Sequence, residues 1–440
     1  MAFTLGFHII LACYGIAFPT IVLIAEYLAL RRRDETLMTL ARRWSQALGV
    51  LVAVGAVTGT VLSFEMGLLW PGLMSRYGAA LGLPFGFEGI FFFFLEAIFT
   101  AVYLYGWRRL RGWAHFWSGV PVAVSGIFGA ISVVAANSWM NQPGGFTLSH
   151  GRVVAVDVWK VFFNRAAAYE TPHMIIAAYM VTGFGVASVY AVGYLKRHRD
   201  RYHRLGFAIP FTVASALAPV QIIVGDTAAR AVAHDQPIKF AAMEYVTHTA
   251  RGVPEYLGGY FENGHVYFGL RLPDVDSLLV GFTPSTKVIG LDSVAPSDRP
   301  PALALIHLSF DAMVGLAFLL VLAALWALAV WRRRHELPTQ PWFWRLAALC
   351  GPAALIAMEC GWIVTEVGRQ PWVVYRLLTT SKAATTNPNV IASLTFVIVL
   401  YCALGVTTVV VLRTLSRRWR QGTTAETLVP YGPREHEVHR

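Results

Sequence analysis

Long apolar stretches separated by short polar clusters set the rhythm of this 440-residue chain. Crossing a bilayer core takes about 20 consecutive, mostly apolar residues of helix. Nine stretches meet that length: residues 5–30, 46–69, 85–106, 116–136, 172–195, 206–225, 303–330, 343–366 and 390–412. The pattern predicts an all-α fold, a polytopic membrane bundle of about nine transmembrane helices. It forms one membrane domain over residues 1–420, followed by a polar, disordered tail at 421–440. No internal repeat stands out.

The polar clusters alternate in charge. Arg31-Arg32-Arg33 with Arg42-Arg43 follow the first stretch, and Arg108, Arg109 and Arg111 follow the third. Lys196 to Arg204 follow the fifth, Arg332-Arg333-Arg334 the seventh, and Arg413 to Arg420 the ninth. Basic loops stay on the cytoplasmic side, so the N-terminus is expected outside and the C-terminus inside. The connections on the opposite side are longer and less basic. The largest, at about 226–302, is long enough to suggest a function of its own.

Composition supports this picture: 56% hydrophobic, 14% charged, mean hydropathy +0.53. The net charge of +11 comes from the topological clusters, which sets nucleic-acid binding aside. Four scattered cysteines without a C-x-x-C spacing indicate no disulfide framework, zinc site or iron–sulfur cluster. The first Lys or Arg is Arg31, so the first apolar run lacks the basic start of a cleavable signal and should remain as a helix.

Ionisable residues inside such helices are candidates for function. Of thirteen histidines, His8, His173 and His307 fall within or at the ends of the predicted spans. With Met313, Glu359, Glu88 and Glu96 they gather toward the outer ends of five helices. Imidazole, thioether and carboxylate at one depth suit haem iron, and a His/Met pair suits a low-spin, electron-transferring haem. Glu88 and Glu96 lie eight residues apart, about two turns, on a shared face where water could carry protons between them. Glu359 and Glu366 are seven apart, again on one face. Glu366 has Arg369 at i+3 as an ion-pair partner, whereas Glu359 has no base within a turn. Its partner must come from another helix, a metal or a proton.

The stretch GWIVTEVGRQPW at 361–372 resembles the G-W-x-x-x-E-x-G-R-Q-P-W signature of subunit I of the cytochrome bd-type quinol oxidases, including the cyanide-insensitive branch. FTLGFHIILACYGIAFP at 3–19, FEGIFFFFLEAIF at 87–99, ANSWMNQP at 136–143 and GDTAARAVAHDQPIKFAAME at 225–244 extend the resemblance over residues 3 to 415. It implies three haems near the outer face. His173 and Met313 match the ligands of a low-spin haem b. His8 and Glu359 match those of a high-spin haem b and of the oxygen-reducing haem, a haem d or a third haem b, with the order between them open. Lys239 and Glu244 match residues of quinol oxidation. Glu96 and then Glu88 match a proton path from the cytoplasm. The implied reaction oxidises quinol outside and reduces O2 to water, in a bacterial cytoplasmic (inner) membrane. The implied partners are quinol, O2, the lipid bilayer and a second large membrane subunit (subunit II), with room for a small single-helix subunit.

Several positions depart from the family pattern. Asp311 stands two before Met313, where Arg is common, and Leu355 stands four before Glu359, where Trp is common. His307 is a rival ligand, but its six-residue offset from Met313 places it on another helix face. Two alternatives compete with the oxidase reading: an electron-transfer haem protein without oxygen reduction, and a haem-free proton-coupled transporter. Only Met1 and Ala2 precede the first motif, which suggests a start assigned late or a trimmed end. Mass analysis of the natively expressed protein is expected to find residues ahead of Met1; a native chain starting at Met1 overturns that expectation.

Overall fold

In the computed structural model, which describes residues 1–262 and 264–421, nine long helices carry the nine stretches. They are α1 Ala2–Arg32, α2 Glu35–Leu69, α3 Pro71–Gly106, α4 Trp113–Asn141, α5 Ala167–Leu195, α6 Arg201–Asp235, α7 Leu303–Arg334, α8 Pro341–Gly368 and α9 Val390–Arg420. Among the described residues, these are the helices long and apolar enough to cross a membrane. From 422 onward the tail lies outside the described residues.

Each helix outruns its apolar stretch, and at α2 and α6 a capping aspartate closes the start. Asp34 accepts the backbone N–H groups of Thr36 and Leu37 at 3.0 and 3.3 Å, which starts α2 eleven residues before position 46. Asp200 caps α6 by accepting the N–H of His203 at 3.1 Å. Pro71 occupies the first turn of α3, where its missing N–H costs nothing. The third helix also contains a π-helical turn at Phe87–Phe92, which bears on its acids.

Two of the buried apolar clusters run through α1. Cys13, Phe184, Phe207, Phe343 and Trp344 join α1, α5, α6 and α8, with Leu320 and Ala323 of α7. Ile21, Leu40, Trp44, Leu48 and Tyr103 join α1, α2 and α3, with Ala123 of α4. The first helix therefore belongs to both. α9 lies against α2, where the Tyr401 hydroxyl donates to the Thr58 carbonyl at 2.9 Å.

The basic turns meet at one end of the bundle. Arg201 pairs with Asp34, Arg43 donates to the Trp419 carbonyl at 3.0 Å, and its guanidinium lies 4.9 Å from the Tyr202 ring. The opposite end carries the longer connections. The loop expected from about 226 begins later, since α6 continues to Asp235, helped by Asp226 accepting two bonds from Arg230 at 3.0 and 2.9 Å. A short helix, Pro237–Met243, follows. Beyond it lie three nested antiparallel pairs: Ala250–Arg251 with Lys287–Val288, Glu255–Leu257 with Leu270–Leu272, and Tyr260–Glu262 with His265–Tyr267.

Close helix approach depends on small residues. A Cβ on Gly126 of α4 would lie 2.9 Å from the Gly15 carbonyl oxygen of α1, a backbone atom with no room to yield. Gly126→Val is therefore expected to destabilise the detergent-solubilised protein by about 1–3 kcal/mol, read as a lowered midpoint in thermal or denaturant unfolding. An unchanged midpoint contradicts the packing described.

Candidate functional site

The four side chains with haem-ligand chemistry are each half-buried, and each faces a glycine on a neighbouring helix. His8 of α1 lies over Gly59 of α2, where a Cβ would stand 3.0 Å from Cε1, and its Nδ1 is 2.9 Å from Thr58 Oγ1. His173 of α5 faces Gly225 of α6 at 3.4 Å. Gln221 holds it from the side, donating to its backbone carbonyl at 3.2 Å. Met313 of α7 sets its sulfur 3.0 Å from the Cβ position of Gly361 of α8. Glu359 of α8 places Oε2 3.4 Å from that of Gly6 of α1, while Oε1 is cut off from solvent without a hydrogen-bond partner.

A side chain at Gly59 or Gly361 would crowd the His8 ring or the Met313 sulfur, whereas a Cβ at Gly225 or Gly6 would make ordinary contact with His173 or Glu359. Among the described residues, no three His, Cys, Asp or Glu converge as a bare metal ion requires. Imidazole, thioether and carboxylate donors spread over several helices fit separate macrocycles holding one or two protein ligands each. The orphaned oxygen of Glu359 is what that fit requires. The rival histidine is otherwise engaged: His307 is fully buried, its Nδ1 2.6 Å from the Met243 carbonyl and its Nε2 3.2 Å from that of Gly258.

Glu88 and Glu96 face a common region, though not for the reason spacing alone gives. In a regular helix, eight residues leave two side chains about 80° apart. The π turn at Phe87–Phe92 holds an extra residue per turn and retards the rotation. Glu88 thus packs by Gly129 of α4, with its Cγ 3.9 Å from the Cβ position, and Glu96 by Gly15 of α1 at 3.7 Å.

The end of α8 is tied down by polar contacts. Arg369, 2% exposed, donates to Glu366 at 2.7 Å, which also accepts from Asn137 of α4 at 2.7 Å. Asn141 donates to Glu170 of α5 at 2.8 Å, and Gln236 donates to the Asn141 carbonyl at 2.7 Å. Lys239 packs along Gly368 beside this group, at a cavity of about 290 Å³ lined also by Arg369, Trp372 and Arg376. Burial pulls the Lys239 amine down to about 8, against the opposing pull of the Glu170 carboxylate.

Glu244, five residues on, has different surroundings. It is buried with Oε2 unpartnered, and Asp276 is fully buried with both carboxyl oxygens unpartnered. Burial first, then the charges of Asp276, Glu255 and Asp311, push the Glu244 carboxyl well above its usual range. Burial and then Glu255 push Asp276 up to about 9.

The subunit I pattern of the cytochrome bd terminal oxidases matches residues 1–419. The chain belongs to that family. The structure of the bd oxidase from Geobacillus thermodenitrificans superposes with a TM-score of 0.87 at 35% identity, covering 95% of this chain and 96% of that one. The cytochrome bd ubiquinol oxidase subunit 1 of Bacillus subtilis (strain 168) is 30% identical, over 92% of this chain and 89% of its own. The cytochrome bd-II ubiquinol oxidase subunit 1 of Escherichia coli (strain K12) is 26% identical, over 82% and 84%.

Within this bd-type subunit, the departure at Asp311 is absorbed locally: its carboxylate accepts the Gly258 backbone N–H and lies 3.4 Å from His307 Nε2. Sequence reading missed Glu170, Asp276 and His115. Glu170 precedes the predicted start of its helix, and Asp276 belongs to the irregular outer segment. His115, placed outside the spans by one residue, is instead a buried member of α4. The acids carry a pH signature. Asp276 has a folded pKa of about 9 against roughly 3.9 unfolded, so the folded state binds more protons between those values. Stability from this group is present below the lower value and is lost as pH rises through the upper. Thermal midpoints should fall between pH 5 and 9, and Asp276→Asn should flatten that slope; an equally steep slope in the variant rules out this origin.

Proposed function

We propose that this bd-type subunit oxidises quinol beside the segment between α6 and α7 and reduces O2 to water with protons drawn from the basic, cytoplasmic end. Family membership makes it the subunit of a quinol oxidase of the bacterial cytoplasmic membrane, and the transporter alternative falls with it. Orientation follows from the basic turns, which the positive-inside rule keeps in the cytoplasm. In this reading the outer end releases quinol protons and the inner end supplies those consumed.

The observation that carries the reading is the set of four donors, each opposite a glycine, with one carboxylate oxygen of Glu359 buried and unpaired. His173 and Met313 would hold a low-spin haem b. His8 and Glu359 would each hold one of two further haems, a high-spin b and a haem d or third b. When bound, these groups supply one-electron transfer and oxygen chemistry. The chain's own residues do the rest. Lys239 and Glu244 lie at the quinol end, where Glu244 can hold a proton and Lys239 can orient a quinol oxygen. Glu96 and Glu88 hold protons on the side of α3 that faces α1 and α4. A second large membrane subunit completes the complex.

A second reading moves the carboxylate ligand to Glu366. The Trp that is missing four residues before Glu359 stands four before Glu366, as Trp362. Separate Glu359→Gln and Glu366→Gln variants decide between them, read by reduced-minus-oxidised spectra and quinol-dependent O2 uptake. Loss of a high-spin haem band with at least tenfold lower uptake is expected in Glu359→Gln alone. The same loss only in Glu366→Gln transfers the assignment, and intact bands in both overturn a ligand on α8. A wild-type protein with one low-spin haem and no O2 uptake would instead favour an electron-transfer role.

A further inference from the structure

At the basic end, three side chains that the proposed reaction does not yet use form a closed buried trio. Glu26 of α1, Tyr103 of α3 and His115 of α4 are 1%, 2% and 2% exposed. The Tyr103 hydroxyl donates to Glu26 Oε2 at 2.6 Å, and His115 Nδ1 lies 2.7 Å from Glu26 Oε1. His115 Nε2 is 2.9 Å from the Tyr103 carbonyl, and the Trp107 ring covers the imidazole with centroids 3.7 Å apart. A carboxylate at such depth is expensive, and here two partners from two other helices meet its cost.

Two observations go beyond a helix staple. A cavity of about 220 Å³ has Glu26 and His115 among its buried lining and the exposed Arg42 and Arg111 on its outer wall, so it leads to the trio from the basic end. Above the trio, Thr100 is 6% exposed, and its hydroxyl is cut off from solvent without a hydrogen-bond partner. Thr100 lies four residues after Glu96 and three before Tyr103, on one face of α3. Glu96 and Tyr103 are about 10 Å apart along the axis, a gap too wide for direct transfer. The unpartnered hydroxyl sits within it, where one or two waters would complete its bonds.

We propose that Glu26, His115 and Tyr103 form the proton inlet of the oxygen-reducing site and pass protons by way of Thr100 to Glu96. A proton from water in the cavity binds the Glu26 carboxylate beside His115. The Tyr103 hydroxyl turns, gives its proton to water at Thr100, and takes the proton held by Glu26, so the trio returns to its starting charge. Water at Thr100 passes the proton to Glu96. The charged and titratable groups facing the trio are Arg42 of α2 and Arg111 of the turn between α3 and α4, in addition to its own members.

The inlet rests on the oxidase reading above, and the test separates the two. The whole complex, reduced and mixed with O2, is followed by haem absorbance and by a pH dye. Tyr103→Phe keeps the ring and removes one hydroxyl, Thr100→Val removes the hydroxyl at near-constant volume, and Glu26→Gln removes the charge. Each variant should keep its haem bands and its rate of haem reduction by quinol, while proton uptake and O2 turnover fall at least tenfold. Wild-type uptake rates in Tyr103→Phe and Glu26→Gln, with haem intact, overturn the inlet. Loss of haem from both Tyr103→Phe and Thr100→Val marks the trio as structural and overturns it equally. A wild-type complex that takes up no protons on O2 addition removes the oxidase reading, and the inlet with it.

Discussion

Water is absent from the core of a bilayer, so a polar atom placed there needs a partner supplied by the protein. That constraint sorts the acids of this bundle. Glu65 accepts from Thr4 at 2.6 Å, Glu26 is closed by His115 and Tyr103, and Glu366 is held by Arg369 and Asn137. Each is answered from another helix or from its own next turn. Glu359 keeps one oxygen that nothing in the chain answers, on a helix whose other acid is fully engaged. A polar atom left unpaired away from water costs about 1–3 kcal/mol, a cost that a group bound from outside would remove. That open oxygen is what the proposed assignment of Glu359 as a haem ligand rests on.

The same reasoning gives α1 its place. It belongs to two of the apolar clusters and carries His8 and Gly6 at one end and Glu26 at the other. Its crossing with α4 at Gly15 and Gly126 brings two backbones together, and Glu96 of α3 lies at that crossing. Movement of α1 would shift His8, the glycine facing Glu359 and the neighbour of Glu96 together. The interior is close-packed and such shifts are resisted collectively, so the first helix fixes His8, Glu359 and Glu96 relative to one another.

The spans were legible because hydropathy alone decides them, and their ends were not, because ends depend on caps. Asp34 extends α2 well before position 46 through two backbone bonds that a hydropathy window does not register. His115 escaped notice by one residue at such an end, and its importance comes from Glu26, 89 positions away in sequence. Spacing suggested that Glu88 and Glu96 share a face, but a regular helix would have separated them; the π turn that reunites them has no sequence signature that periodicity detects. The ion pair of Glu366 and Arg369 was legible because it is local. The glycines opposite the four donors were invisible, since each pairs residues on different helices.

The outer segment places two functional candidates five residues apart in opposite electrostatic settings. Lys239 sits with Glu170, Glu366 and Arg369, a mixed group in which an ammonium can remain charged. Glu244 sits among Asp276, Glu255 and Asp311, where like charges and burial together favour the protonated form. Glu244, Glu255 and Asp276 therefore hold protons at a pH where ordinary carboxyls have lost them. Asp311 belongs both to this group and to α7, two residues before Met313, and it accepts the Gly258 backbone N–H of the outer segment. The carboxylate that seats the segment on α7 is therefore one whose charge also acts on Glu244. Asp311 thus links the acids of the outer segment to the helix that carries Met313.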